Sequence, residues 1–467
     1  MKYISTRGEA PELGFCDAVL TGLARDGGLY VPEVWPQFDA DELRAMAGKP
    51  YAEVAKTVLA PFIEGEISAD DFSKMVDDAY ASFDHPAVAP LVQTGPNEYI
   101  QELFHGPTMA FKDIAMQLLA RVIDKILADR GSKLTIVGAT SGDTGGAAIE
   151  AFRGRDNSDI FILFPDGKVS DVQRWQMTGV GDANVHALAI EGNFDDCQAL
   201  VKAMFNHHSF RDANHISGVN SINWGRIMAQ IVYYFTAALS LGAPDREVSF
   251  SVPTGNFGDI FAGYAAKQMG LPVDQLIIAT NSNDILARTV ETGRYETSGV
   301  HATSSPSMDI QVSSNFERLL FEASDRDSAM INQAMSSLSQ SGAFTLKETL
   351  WNTIRGNFTA GRADEARVAD TIKTVLKDSG YLLDPHTAVG VSVAREQPVS
   401  NSPMVILSTA HPAKFPDAVE QASGVRPALP ARCEGLMNGE EQFTLLANDL
   451  QTVENYIAEH TRAGSKA

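Results

Sequence analysis

Leu134-Thr-Ile-Val-Gly-Ala-Thr-Ser-Gly-Asp-Thr-Gly-Gly-Ala-Ala-Ile-Glu-Ala-Phe152 is the stretch whose reading decides the fold. Its first six residues are apolar or β-branched and too few for a helix, the signature of a strand buried on both faces. A glycine-rich turn follows, and then a helix from Ala147 to Phe152. The same alternation recurs outward from this unit. Short apolar runs stand at Asp159–Pro165, Val185–Ile190, Val248–Pro253, Gln275–Thr280 and Pro403–Thr409, with amphipathic segments between them. Strands alternating with helices predict an α/β fold of parallel sheets covered on both faces. Such sheets bind ligands beyond the carboxyl ends of their strands, where this sequence places its glycine-rich loops. Ahead of the alternation, Asp41–Met46 and Tyr51–Ile63 carry apolar residues at helical spacing. The run His85-Pro-Ala-Val-Ala-Pro90 then marks a boundary, so residues 1–95 read as a helical N-terminal domain.

At 467 residues the chain exceeds one ordinary core, and two or three domains are expected. Its formal charge of −22 repels polyphosphate backbones and anionic lipid, which argues against nucleic-acid and membrane partners. The three cysteines, Cys16, Cys197 and Cys433, offer neither a disulfide framework nor a metal pair. No secretory signal opens the sequence, and Ile227–Ala243, interrupted by Gln230, Thr236 and Ser240, reads as a buried helix. The expected location is the cytoplasm. His207, His208 and His215 cluster without a carboxylate or cysteine at ligand spacing, so no metal site is expected.

Three segments could carry chemistry. In His105-Gly-Pro-Thr-Met-Ala-Phe-Lys112-Asp-Ile-Ala-Met, Lys112 stands among Met109, Phe111, Ile114 and Met116. Desolvation there favours the neutral amine that a carbonyl requires of a nucleophilic lysine. A lysine reaching from an amphipathic helix to water would have the same local sequence. In Val252-Pro-Thr-Gly255-Asn-Phe-Gly258-Asp, a strand ends, two glycines bracket a turn and an apolar helix begins, which suits an anion on free amides. A tight turn with no ligand is the alternative. Ala139-Thr-Ser141-Gly-Asp-Thr144-Gly-Gly repeats this logic and could hold a carboxylate. Neither loop has the spacing of a nucleotide P-loop or a dinucleotide fingerprint, which ranks kinase and dehydrogenase readings low. Two anion cradles and one desolvated lysine match what pyridoxal phosphate (PLP) chemistry needs.

At these residues the sequence resembles the threonine synthase family of the longer bacterial and fungal type. His105-Gly-Pro-Thr-x-x-Phe-Lys-Asp resembles that family's PLP-lysine signature. Tyr3-x-Ser-Thr-Arg-Gly8, Asp26-Gly-Gly-Leu-Tyr-Val-Pro32, Gly179, Asn220-Ser-Ile-Asn-Trp-Gly-Arg226 and Leu407-Ser-Thr-Ala-His-Pro-Ala-Lys-Phe415 follow in family order. The resemblance implies a fold-type II PLP enzyme with two parallel-sheet-based α/β domains and a helical N-terminal domain. Its domains would be residues 1–95, a large PLP-binding domain of 96–125 and 235–467, and a small domain of 126–234. It further implies Lys112 as the residue that binds PLP covalently and shuttles protons. Gly255, Asn256, Phe257 and Gly258 would hold the cofactor phosphate, and Asp143 would face its phenolic oxygen. Thr409, with Ser408 second, would face the pyridine nitrogen. Ser141, Gly142 and Thr144 would bind the substrate carboxylate, and Arg226, Asn223 and Lys414 the substrate phosphate, Arg226 leading through its planar guanidinium.

The implied reaction is the conversion of O-phosphohomoserine and water to L-threonine and phosphate, by γ-elimination and β-addition of water. The implied assembly is a monomer or homodimer. A PLP-dependent serine or threonine dehydratase, or a lyase of another phosphorylated hydroxyamino acid, is the competing reading within the same fold. A dehydratase would need no phosphate subsite and would lack the two N-terminal segments.

Overall fold

The computed structural model describes residues 1–464 apart from Ser141 and Val399. Strands β1 (Tyr3–Ser5) and β2 (Tyr30–Pro32) pair into an antiparallel ribbon at the start of the chain. Then come β3 (Leu91–Gly95), β4 (Glu98–Glu102), β5 (Leu134–Ala139), β6 (Ser158–Pro165), β7 (Val185–Ile190) and β8 (Ile216–Ser217). They are followed by β9 (Val248–Pro253), β10 (Val273–Thr280), β11 (Arg294–Glu296), β12 (Ala343–Thr345), β13 (Phe358–Arg362), β14 (Met404–Ser408) and β15 (Thr444–Leu446).

Two sheets organise the molecule. The larger runs β13-β10-β9-β14-β4-β3, parallel except for the edge hairpin β3–β4. The smaller runs β15-β7-β6-β5-β8, parallel throughout. The apolar runs singled out in the sequence are the inner strands of these sheets, and β6 and β9 are buried at every residue. All but the last three residues of the Ile227–Ala243 segment lie in the helix Trp224–Ser240, whose Trp224–Phe235 portion is wholly buried. No helix among the described residues is long and apolar enough to cross a membrane.

The strand pairing differs from the expected domain boundaries in three ways. β15, expected with the large domain, joins the small sheet beside β7, and the helix Leu450–His460 buries Val453 and Ile457 in that sheet's core. β3, expected within the N-terminal domain, is the edge of the large sheet. The divisions at 125 and 234 fall inside the helices Lys112–Arg130 and Trp224–Ser240. A boundary drawn along the chain cannot register a strand that returns to a distant sheet. A hydrophobic core that includes residues of both sheets and of the N-terminal segments is continuous across them.

The N-terminal segments interlock through short polar contacts. Asp26 accepts from the Ser5 hydroxyl at 2.8 Å and the Gly28 amide at 2.9 Å, and Thr6 donates to Glu317 at 2.6 Å. Arg7 pairs with the same carboxylate at 3.1 Å. Buried Arg318 donates to the Tyr30 carbonyl at 2.9 Å and to the Ile222 carbonyl at 2.7 Å, which ties the ribbon to the segment leading into Trp224–Ser240.

Candidate active site

Lys112 opens the helix Lys112–Arg130, and the turn before it is built by Asp113. The Asp113 carboxylate accepts from the Thr108 amide at 2.8 Å and the Thr108 hydroxyl at 2.7 Å. A Cβ on residue 106 would lie 2.4 Å from the Asp113 Cβ, so only glycine lets this turn close. The turn is stitched to the end of β14: the Phe111 amide donates to the Thr409 carbonyl at 2.8 Å and the His411 amide to the Met109 carbonyl at 3.0 Å. The spacing of Gly106, Thr108, Lys112 and Asp113 therefore has a local mechanical cause, and it leaves Lys112 buried at the carboxyl edge of the large sheet.

Burial lowers the affinity of the Lys112 amine for its proton. Asp143 opposes that effect, and Lys414 and Arg226 add to it. Asp143 begins the helix Asp143–Phe152 beyond β5, and its Oδ2 is 3.5 Å from the Lys112 ammonium. Its Oδ1 receives Lys414 at 2.8 Å and the Gln173 amide at 2.9 Å. Burial alone would raise this carboxyl, but Lys414 and then Lys112 outweigh it and hold Asp143 well below the usual carboxylate range.

The two glycine loops have the form of anion cradles. At the start of the helix Gly258–Gln268, the amides of Asn256, Phe257 and Gly258 meet no acceptor among the described residues. Phe257 holds φ at 64°, the left-handed region, with its ring buried against Phe316 and Phe358. Gly255 is needed for close approach, since a Cβ there would meet the Ser307 carbonyl at 2.7 Å. The Asn256 carbonyl accepts from the Asn315 amide and side chain at 3.0 and 2.9 Å, which fixes the loop from behind. In the second cradle, Thr140 Oγ1 accepts from the Gly142 and Gly145 amides, both at 2.9 Å. The amides of Asp143 and Thr144 find no acceptor among the described residues. Gly142, at φ 142°, makes room for Gln173, whose side chain would stand 2.3 Å from a Cβ. Ser141 lies outside the described residues.

The remaining expected residues divide. Arg226 is buried, its burial pushing the guanidinium down to about 10, and its Nε has no partner among the described residues. Its Nη1 donates to the Val219 carbonyl at 3.3 Å. The Thr409 hydroxyl is without a described partner, whereas the Ser408 hydroxyl bonds Thr387 at 2.9 Å, and Thr387 donates to buried Asp384. That commitment leaves Thr409 as the available hydroxyl at the end of β14. Asn223, expected at the substrate phosphate, has both polar ends occupied: it caps its own helix through the Gly225 amide at 3.0 Å and donates to the Val19 carbonyl at 2.8 Å. Lys414, expected there too, directs its ammonium at Asp143 and at the Thr108 carbonyl, each 2.8 Å away.

Several contributors lie outside the segments singled out in the sequence. Ser307 stands between the cradles, its hydroxyl 3.5 Å from Asp143 Oδ2 and its amide donating to His386 Nε2 at 3.3 Å. Gln173 acts from the helix Asp171–Thr178, Asn315 from the residue before the helix Phe316–Ala323 and Arg318 from within that helix. The one sequence signal that could mark Arg318 is an arginine set among the apolar residues of Phe316-Glu-Arg-Leu-Leu-Phe321.

This constellation fits PLP: a buried lysine, free amides for the phosphate, and an uncommitted hydroxyl where a strand ends. Comparison with known proteins agrees. Residues 2–80 match the family model "Threonine synthase N terminus", residues 85–409 "Pyridoxal-phosphate dependent enzyme" and residues 387–457 "Threonine synthase, C-terminal". The threonine synthase of Pseudomonas aeruginosa is 54% identical over 466 residues, 99% of both chains. The crystal structure of PLP-bound threonine synthase from Brucella melitensis superposes with a TM-score of 0.98 at 66% identity, covering 99% of this chain and 100% of that one. The yeast enzyme gives 0.93 at 39% identity, covering 98% of each. A threonine deaminase from Solanum lycopersicum, covering 84% of this chain and 98% of its own at 13% identity and a TM-score of 0.51, shares the fold alone. With all three family models matched in order along its length, the chain belongs to the threonine synthase family of pyridoxal-phosphate-dependent enzymes.

Proposed function

We propose that this site converts O-phosphohomoserine and water to L-threonine and inorganic phosphate. The observation that carries the reading is the buried Lys112 amine between two glycine cradles, with, nearby, a guanidinium nitrogen of Arg226 that has no partner among the described residues. When bound, PLP supplies the electron sink that makes the substrate Cα and Cβ protons removable. Lys112 holds the cofactor, takes the Cα proton and returns it. The amides of Asn256, Phe257 and Gly258 hold the cofactor phosphate, and Gly255 lets that loop pack on Ser307. Thr409 donates to or accepts from the pyridine nitrogen. Gly142 and Thr144, with Ser141, receive the substrate carboxylate. Arg226 grips the substrate phosphate as it leaves Cγ, where charge develops and the site excludes water. The proton lost from Cβ is balanced by the one gained at Cγ, water adds its hydroxyl at Cβ while its other proton ends on the released phosphate, and threonine departs.

We place the enzyme in the cytoplasm, acting as a monomer or homodimer, in line with its charge and three buried free cysteines. We divide the chain at the carboxyl edges of its two sheets, with the N-terminal lobe bracing both. An absorbance spectrum before and after borohydride, followed by phosphate and threonine release from O-phosphohomoserine, tests the reading. Lys112→Ala should lose the cofactor band and turnover together. A variant that keeps normal turnover would overturn the assignment.

A further inference from the structure

Lys414 is wholly buried in the turn Pro412–Lys414 that follows β14, yet two protein acceptors already claim its ammonium. One is Asp143 Oδ1, at the start of the small-sheet helix. The other is the carbonyl of Thr108, in the turn that carries Lys112; Gln176 also donates to that carbonyl, at 2.9 Å. Asp143 is held asymmetrically. Its Oδ1 takes Lys414 and Gln173, while among the described residues Oδ2 has Lys112 and Ser307, each at 3.5 Å. The anchored oxygen is saturated and the loosely held one faces the catalytic amine.

We propose that Asp143 and Lys414 form a fixed, electrically neutral pair that positions Lys112 for proton transfer, and that Lys414 acts through Asp143 and does not bind the substrate phosphate. A carboxylate buried beside a single lysine would share that lysine's proton, because isolated buried charge is costly. With Lys414 as a permanent counter-ion, Asp143 stays anionic whether Lys112 is neutral or protonated. When Lys112 takes the proton from the substrate Cα, the new ammonium finds Asp143 Oδ2 waiting for it. When Lys112 returns the proton, no competing acceptor has captured it. Lys414 also ties the small-sheet helix to the signature turn, so the amine and its acceptor keep their spacing when either segment shifts. This rests on Lys112 being the cofactor lysine.

The test compares holoenzyme Lys414→Met, Asp143→Asn and Asp143→Asn/Lys414→Met in steady-state assays with O-phosphohomoserine and its Cα-deuterated form. Lys414→Met should lower kcat about 100-fold with KM changed less than about 3-fold, and should enlarge the isotope effect on kcat. Asp143→Asn should lose kcat by a similar factor, and the double variant should be no slower than the slower single variant, because the two side chains act as one unit. A KM raised about 10-fold with kcat preserved would make Lys414 a phosphate ligand and overturn the proposal. A double variant in which the two single losses multiply would overturn it as well, since Lys414 would then act independently of Asp143. If Lys414→Met does not fold, melting temperatures decide: recovery of folding in the double variant supports the pair, and two unfolded variants refute it. A borohydride-sensitive band in the unmodified enzyme checks the Lys112 reading separately, so a failure of that reading would be recognised as such.

Discussion

At the scale of single residues, burial sets the chemistry, and Asp259 shows this away from the Asp143 pair. It lies near the start of the helix Gly258–Gln268, and burial pushes its carboxyl up to about 6 from the ordinary 3.8, against weaker opposition from its own and the Ile260 amides and from Lys112 and Arg226. A raised carboxyl binds its proton more tightly in the folded state than in the unfolded one. Its contribution to stability is therefore fully present below about 3.8 and is lost as pH rises through about 6, amounting to at most about 3 kcal/mol. Asp259→Asn imitates the protonated form at every pH. Its melting temperature relative to the unmodified enzyme should rise by about 2 °C or more between pH 4.5 and pH 7. Equal differences at both values would show that Asp259 is not buried as an acid of raised affinity.

At the scale of elements, close approach decides which glycines matter. The signature turn closes because Gly106 leaves room for Asp113, so Gly106→Ala should displace that carboxylate from Thr108 and slacken the turn that carries Lys112. A loss of about 2 kcal/mol in stability and a reduced cofactor content in the purified protein are expected. Gly356, inside the helix Glu348–Asn357 with nothing within 4 Å of a Cβ, is the control. Gly356→Ala should be neutral or stabilise by about 0.5–1 kcal/mol. Melting curves of both variants, with cofactor measured by absorbance, separate steric closure from a general intolerance of alanine. The same scale explains the N-terminal segments. Arg318 bonds the Tyr30 and Ile222 carbonyls and the Asn315 side chain, and Asn315 in turn holds the Asn256 carbonyl and, at 3.1 Å, the Ser221 carbonyl. The ribbon is thus connected by two side chains to the Gly255–Gly258 loop, the proposed holder of the cofactor phosphate.

At the scale of the whole molecule, the C-terminal segment completes a sheet whose other strands lie more than two hundred residues earlier. β15 pairs with β7, Thr461 meets Thr135 across 2.5 Å, and Arg462 bonds Asp159 at 2.6 Å. Removing it would leave the core around Leu188 and Ile190 open on one side. A chain ended at Pro430 should melt at least about 10 °C lower than the full chain, or fail to stay in solution. Unchanged melting would mean that the small sheet stands without its fifth strand.

Most of the catalytic core was legible along the chain because its parts are local. A strand, a glycine turn and a helix are consecutive in sequence, so β5 and β9 with their cradles could be read before any contact was known. Lys112 was legible for the same reason, its apolar neighbours and Asp113 lying within five residues. Those stretches determined the fold class and pointed to the cofactor chemistry, while the family came from the resemblance of several motifs between Tyr3 and Phe415 taken in order. Only the tertiary structure decided how charge is balanced and where the lobes divide. Asn223 and Lys414 looked like free polar groups until the fold brought Val19, Thr108 and Asp143 against them. The return of β15 to the small sheet was equally hidden. Local propensity is written in neighbouring residues, whereas partners of buried polar groups come from segments hundreds of positions apart, and sequence spacing carries no record of that distance.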